Sequence, residues 1–277
     1  MENLGLQFYK RYFEHLEFEI ENGKIKPVLN EIKTKEFLNK FFSSKLPSIS
    51  PELILGNTQF DLTTIYPGLL IGSGYNHEIG EQKNELKLGF FFDHTSGLPC
   101  IPGSSVKGVL RNACEINKGD YVVSILNELL NGERKTGNKN IVEFLNENSS
   151  VYELFKGKNS CFVMNVFEGK VANDEYIPLK QRDIFFDAFP IVSKNKNGIF
   201  LANDYITPHK DQFKNPNPIQ FLKILPQVTF KFNFGLSDTC VTKEIKAELF
   251  KQILLDLGIG AKTNVGYGQF KESSPVS

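Results

Sequence analysis

The chain has 277 residues, 40% of them hydrophobic and 23% charged, with 25 Phe and no Trp. That length allows one large domain or two small ones, and the composition suits a folded protein with a Phe-rich core, which excludes global disorder. Lys plus Arg equal Asp plus Glu at 32 each, so the net charge is zero; a polyanion would have to be held by a local basic patch, acting over roughly a Debye length of 8–10 Å.

Apolar residues at helical spacing (Leu6, Tyr9, Phe13, Leu16) predict a helix from Leu4 to about Ile20, and a second helix is expected from Thr34 to Phe42. Lys45 to Pro51 reads as a linker. Asn57 to Tyr66 alternates Phe60, Leu62 and Thr64 with its neighbours and predicts a strand. The glycines of PGLLIGSGY, Gly72 and Gly74, signal a tight loop. Glu85 to Asp93 is an extended candidate, followed by a turn and a helix in SGLPCIPGSSVKGVLRNACE. Helical patches are expected to about Phe155, interrupted at NGERKTGNKN. Asp183–Phe189 and Val228–Phe234 predict strands, with an irregular excursion between them. Thr242–Leu257 predicts an amphipathic helix, since Ile245, Leu249, Ile253 and Leu257 are four apart. A glycine-rich loop then leads to a last strand, Tyr267–Phe270. The order β-α-β-β-α-β predicts an α+β, ferredoxin-like (RRM-like) domain. Residues 1–50 form a helical extension and residues 51–277 the domain, with insertions at about 118–180 and 190–225.

Two segments could hold a phosphate chain. In IPGSSVKGVLR, Gly103 follows a proline, and Ser104 or Ser105 is a natural N-cap. Free amides and the positive dipole end at a helix start favour an anion. Ser104, Lys107 and Arg111 share one stripe, while Val106, Val109, Leu110 and Ala113 share another. A capped surface helix with two solvated cations has the same pattern, so this segment alone leaves the choice open. In GIGAKTNVGYG, the paired glycines Gly258, Gly260, Gly266 and Gly268 permit positive φ and close approach of another backbone. Lys262, Thr263 and Asn264 place a charge and hydrogen-bonding groups at the tip. A helix C-cap at Gly258 with an ordinary turn is the plainer reading, and it needs fewer glycines. Walker A fails, because Asp256 stands at the first glycine position and the order is helix to strand. The dinucleotide pattern fails too, with Thr263 where Gly belongs.

GLPCIPGSSVKGVLR followed far downstream by GIGAKTNVGYGQF is similar to the paired motifs of the RAMP superfamily of CRISPR proteins. IFFDAFP at Ile184–Pro190, DYITPH at Asp204–His209 and NPNPIQFLKI at Asn215–Ile224 resemble, within it, the head-capping subunits of type III-B (Cmr) effector complexes. The resemblance runs from about Leu70 to Phe270. It departs from the pattern at Cys100, where an aromatic is common, and at Lys210, where a Tyr often follows the His. It implies a non-catalytic RNA-binding subunit in antiviral defence, near the guide RNA 3′ end. The implied partners are guide RNA, target RNA as a second candidate, the repeated backbone subunit, the other head subunit and the small helical subunit.

The residues themselves supply no paired acid–base set. His15, His77, His94 and His209 are isolated, and Asp93 and His94, adjacent on an extended segment, point to opposite faces. Asp61, Asp183 and Asp187 are single strand carboxylates. Cys100, Cys114, Cys161 and Cys240 are scattered, without the C-x-x-C spacing of a zinc or redox site. No catalytic residue, metal or cofactor is expected. The N-terminal segment carries charge throughout and no run approaches ~20 apolar residues, so neither a signal peptide nor a membrane helix is expected, and the cytoplasm is the expected location. A guide-processing endoribonuclease and a protein-only scaffold remain the alternatives.

Overall fold

Asn3 begins the described chain by capping a short helix, α1 (Leu4–Tyr9), its side chain accepting the Leu6 N–H at 2.8 Å. A computed structural model describes residues 3–47, 55–75, 77, 79, 85–136, 139–147, 149–157, 159–171, 175–207 and 218–273. The helix expected to reach Ile20 stops at Tyr9. A 3-10 turn (Arg11–His15) follows, then β1 (Leu16–Glu21) pairs antiparallel with β2 (Lys24–Leu29). The physical reason is local. Phe18 and Ile20 alternate with Glu17, Glu19 and Glu21 at the strand period. Asn22 and Gly23, at φ 50° and 76°, supply the two positive-φ positions of a tight hairpin turn. Phe18, Ile20 and Ile25 share one exposed face of this hairpin. Helix α2 (Glu31–Phe42) begins at Asn30, whose side chain accepts the Lys33 N–H at 3.1 Å.

The chain continues with β3 (Thr58–Thr64), α3 (Gly103–Glu115), α4 (Asp120–Leu130) and α5 (Lys139–Glu147). A short α6 (Cys161–Val163) runs into a π turn, Met164–Glu168. Then come β4 (Ile184–Phe185), β5 (Phe189–Ser193), β6 (Leu201–Ile206), β7 (Ile219–Ile224), β8 (Val228–Gly235), α7 (Lys243–Leu257) and β9 (Phe270–Glu272). The large sheet has the order β4-β8-β3-β9, with β5 also on β8, and every pairing is antiparallel. Phe60 pairs with Phe232 and Leu62 with Phe230, which sets one apolar face. Helix α7 covers that face, Phe250 lying 5.6 Å from Phe234, and α3 packs against α7. The result is a mixed α+β fold with antiparallel sheets.

Four further expectations change. The excursion between the two predicted strands contains β5 and a second hairpin, β6–β7, in the register Leu201↔Ile224; the polar centre of LANDYI hid it. Glu85–Asp93 is extended but forms no named strand among the described residues, making isolated bridges such as Leu86↔Gln220 and Phe92↔Pro99. The last strand starts at Phe270, because Tyr267 and Gly268 belong to the loop. Residues 1–50 hold a hairpin as well as helices, and they enter the core: Phe8 lies 5.4 Å from Phe92 and 6.4 Å from Phe41. His209, with 208–217, and the end of the predicted linker, 48–51, lie outside the described residues.

Candidate nucleic-acid interface

Helix α3 starts as the sequence predicts, but its cap differs. Pro102 is the cap residue, its carbonyl accepting the N–H groups of Ser105 and Val106, and neither Ser104 nor Ser105 caps the helix. The Gly103 N–H donates to Asp187 Oδ1 at 2.7 Å. The helix start therefore already faces an anion of the protein's own. Gly103 is required for packing, since a Cβ there would stand 2.1 Å from the Phe185 carbonyl oxygen.

The four glycines of the C-terminal loop all have positive φ: 67° at Gly258, 105° at Gly260, 95° at Gly266 and 75° at Gly268. The close approach they permit is mostly to this chain's own backbone. A Cβ at Gly258 would meet Gly268 O at 2.4 Å, one at Gly260 would meet Leu70 O at 2.5 Å, and one at Gly268 would meet Ile259 O at 1.9 Å. Three hydrogen bonds tie the loop down: Ile259 N–H to Gly268 O, Ala261 N–H to Leu70 O, and Gly268 N–H to Gly68 O, each 2.8–2.9 Å. Gly266 alone of the four has room, with Pro67 Cδ at 3.5 Å. Lys262 is left-handed at φ 61°, and it leads into a 3-10 turn, Thr263–Val265, on which Asn264 is exposed.

The two segments do meet. Pro102 at the cap and Ser105, Gly108 and Val109 of α3 line, with Ile259, Gly260 and Ala261, a cavity of about 390 Å³. Gly72 and Ala261 also border a second cavity of about 570 Å³, which Tyr75, Lys87 and Lys262 line. Tyr75 in turn borders a third, of about 440 Å³, with Leu6, Tyr9, Lys10 and His94. Sharing Gly72 and Ala261, and then Tyr75, the three cavities border residues 70–75 as a groove in three parts. Three lysines line it, and no carboxylate does among the described residues. Neither Lys10 nor Lys262 makes an ion pair among the described residues. Tyr75 is 82% exposed, on a loop held against the 85–93 segment by the Gly89 N–H to Tyr75 O and Phe91 N–H to Ile71 O bonds. A Cβ at Gly89 would overlap Tyr75 O, so that glycine lets the loop sit. Sequence reasoning missed Lys10, Tyr75 and Lys87. The GSGY loop was one local signal, but nothing local links it to the two lysines.

Lys107 and Arg111 are not in this groove. They point between a third and nearly half a turn away from Ser105 and Val109, Lys107 by about 160° at roughly 100° per residue. Lys107 Nζ lies 5.9 Å from the Phe185 ring centroid, and Arg111 pairs with Glu168 at 2.8 Å and Glu115 at 3.6 Å. Ser104 is exposed at the helix start.

The isolated acids and imidazoles have structural settings. Asp183 and Lys246 form a fully buried pair at 2.6 Å, and Asp61 lies 3.8 Å from Lys231. His77 is buried, stacked 4.1 Å from Phe8, with its ring nitrogens facing the carbonyl oxygens of Phe8 (2.9 Å) and Leu86 (3.1 Å). Burial pushes its pKa below the usual imidazole value. His94 is exposed near Tyr9. Among the described residues no group of three or more His, Cys, Asp and Glu could hold a metal ion, and no helix is long and apolar enough to cross a membrane.

Comparison with known proteins follows the same stretch of chain. The chain is 31% identical over 204 residues to the CRISPR system Cmr subunit Cmr6 of Pyrococcus furiosus, covering 64% of this chain and 58% of that protein. It is 26% identical over 243 residues to the CRISPR system CMR subunit Cmr6 of Saccharolobus solfataricus, covering 86% and 65%. The chain thus spans about three-fifths of the length of the curated relatives it matches. Among solved structures it is similar to a chain of the type III-B Cmr-beta complex bound to cognate target RNA (24% identity, TM-score 0.46, 78% of this chain and 58% of that one). It is also similar to Cmr6 from Pyrococcus furiosus (22%, TM-score 0.42, 78% and 97%). The RAMP superfamily profile matches residues 61–271, from the middle of β3 into β9, and so takes in both glycine segments and every strand of the large sheet. The chain belongs to the RAMP superfamily.

Proposed function

We propose that this chain is a non-catalytic, RNA-binding subunit of a type III-B CRISPR (Cmr) effector complex, its sixth or head-capping subunit. Guide RNA lies in the groove between α3, the 70–75 loop and the 258–268 loop. One observation carries the RNA part: three lysines and no carboxylate line the groove in a chain whose net charge is zero. Single strands are held by such cationic tracks together with aromatic side chains on which bases stack, and Tyr75 stands in the groove wall. The sheet order β4-β8-β3-β9, with α3 and α7 as its two crossovers, supports a ferredoxin-like core.

Family membership and the two relatives named as Cmr6 subunits support the assembly. On this reading the neighbours are the repeated backbone subunit, the other head subunit and the small helical subunit, with the guide 3′ end nearby. The exposed apolar face of the β1–β2 hairpin suits contact with a protein neighbour. The partnered carboxylates and the buried His77 argue for a structural role over a guide-processing ribonuclease.

The test is to purify the tagged chain from native cells with whatever it carries, photo-crosslink the RNA and map the sites. Crosslinks are expected in 70–75, 101–109 and 259–262, alongside other Cmr subunits. An intact complex with no crosslink to this chain would leave a protein-only scaffold. Divalent-independent RNA cleavage by the chain alone would replace the non-catalytic reading with the ribonuclease.

A further inference from the structure

A second cation cluster lies outside the groove, on the segment that follows the π turn. Lys170 and Tyr176 face each other across an antiparallel bridge. Lys170 Nζ stands 5.3 Å from the Tyr176 ring centroid, and Arg182 Cζ stands 5.4 Å from it. Tyr176 is 66% exposed and Leu179 is 76% exposed, with Lys180 exposed beside them.

Arg182 is fixed before any ligand arrives. Its Nε donates to the Ile177 carbonyl at 2.7 Å. Its stem lies on Gly169, at φ 65°, where a Cβ would come within 3.0 Å of Cδ. Its guanidinium is backed by the tyrosine ring. The two terminal Nη groups make no hydrogen bond or ion pair among the described residues. A guanidinium held by its stem, its Nε and an aromatic ring loses little freedom on binding, and its remaining N–H fork matches two oxygens of one phosphate. An arginine so immobilised with its fork left over is not explained by packing alone.

We propose that Arg182 is a second RNA contact of this chain. Its Nη groups take one phosphodiester of a single-stranded segment and Tyr176 holds the guanidinium flat, with Lys180 exposed beside them. The exposure of Tyr176, Leu179 and Lys180 suits a chain laid across the surface, not an enclosed small anion. The inference extends the RNA-binding reading but stands on residues that share nothing with the groove, so either can fail alone.

The experiment uses the full chain and a labelled uridine 20-mer in fluorescence anisotropy at several salt concentrations. Arg182→Ala is expected to weaken binding roughly tenfold, as loss of a charged hydrogen-bonding group does, and to lower the salt slope by about 0.7. Arg182→Lys keeps the stem and the charge but not the fork, and it should recover only part of the loss. Tyr176→Ala should weaken binding less than Arg182→Ala, and the Arg182→Ala loss should be the same in a Lys262→Glu background. Circular dichroism on each variant separates loss of contact from loss of fold. Wild-type affinity in folded Arg182→Ala and Arg182→Lys, with Lys262→Glu weakened, would overturn this contact and leave the groove standing. Loss in the Arg182 variants with Lys262→Glu unaffected would do the reverse. Displacement of the 20-mer from Arg182 by millimolar inorganic phosphate would overturn it in favour of a free-anion site. No measurable binding by the wild-type chain at low salt would overturn both.

Discussion

The Oδ1 oxygen of Asp187 accepts the backbone N–H of Gly103 at 2.7 Å, so the first amide of α3 is capped from an element 84 residues further along the chain. The carboxylate lies where a helix start favours negative charge. Asp187→Ala is expected to cost about 1 kcal/mol, the ordinary value of a lost cap, with Asp187→Asn costing less. RNA affinity should not fall in either variant, because the removed group is an anion. Urea unfolding and RNA titration check both parts; a weakened RNA complex in a folded Asp187→Ala protein would mean that this carboxylate orients the interface.

Gly266 and Gly268 look equivalent in sequence and are not equivalent in space. Gly268→Ala would drive a Cβ to 1.9 Å from Ile259 O at φ 75°, whereas Gly266→Ala meets only Pro67 Cδ at 3.5 Å. The first should cost roughly 3 kcal/mol or more through backbone displacement, the second about 1–2 kcal/mol from the left-handed backbone alone. Chemical denaturation of the two variants decides; equal losses would show that the 258–268 loop yields easily.

Lys262 and Arg111 are both cations of the predicted site, but only Lys262 lines the groove. Arg111 is neutralised by Glu168 at 2.8 Å and Glu115 at 3.6 Å. Lys262→Ala should therefore lower the salt slope of single-stranded RNA binding by about 0.7, the loss of one phosphate contact. Arg111→Ala should leave slope and affinity near wild type. The opposite ranking would place the RNA on the other side of α3.

His77 links stability to pH. Its pKa in the folded protein is held down by burial, which outweighs the two facing carbonyl oxygens and Glu85. An unfolded imidazole titrates near 6.5. A depressed folded pKa means the stability contribution is present above the unfolded value and is lost as pH falls through the folded one. Wild type should thus lose stability between neutral pH and about pH 5.5 more steeply than His77→Gln. Urea midpoints at the two pH values measure the difference; parallel losses would show that His77 does not titrate there.

His94 tests catalytic inertness directly, because it is exposed on the rim of the groove. In a rebuilt complex, His94→Ala should keep single-turnover target cleavage within a few-fold of wild type. A general acid or base contributes roughly 10²–10⁴-fold, so a hundredfold drop with assembly intact would make this chain part of a catalytic centre.

Local pattern was enough for the elements whose torsions and buried faces agree. The Phe230, Phe232, Phe234 alternation is β8, the four-residue spacing from Ile245 is α7, and the paired glycines of the last loop all take positive φ. The β1–β2 hairpin was equally legible in Asn22-Gly23 and the EFEIE alternation, but the helical spacing running from Leu6 into Leu16 masked it. Here two periods overlapped, and the turn residues decided between them.

Partners were another matter. Which backbone the loop glycines approach, Leu70, Gly268 and Ile259 of this chain, follows from the path of the chain and not from the glycines. Asp187 was a lone strand carboxylate until the fold set it at the start of α3, and Lys107 and Arg111 were the obvious cations until Phe185 and Glu168 took them. Lys10, Lys87 and Lys262 converge on one groove from three distant parts of the sequence. Periodicity and turn chemistry constrain φ, ψ and the buried face of each element over a few residues. Which charges then stand within a Debye length of one another is set only when those elements pack.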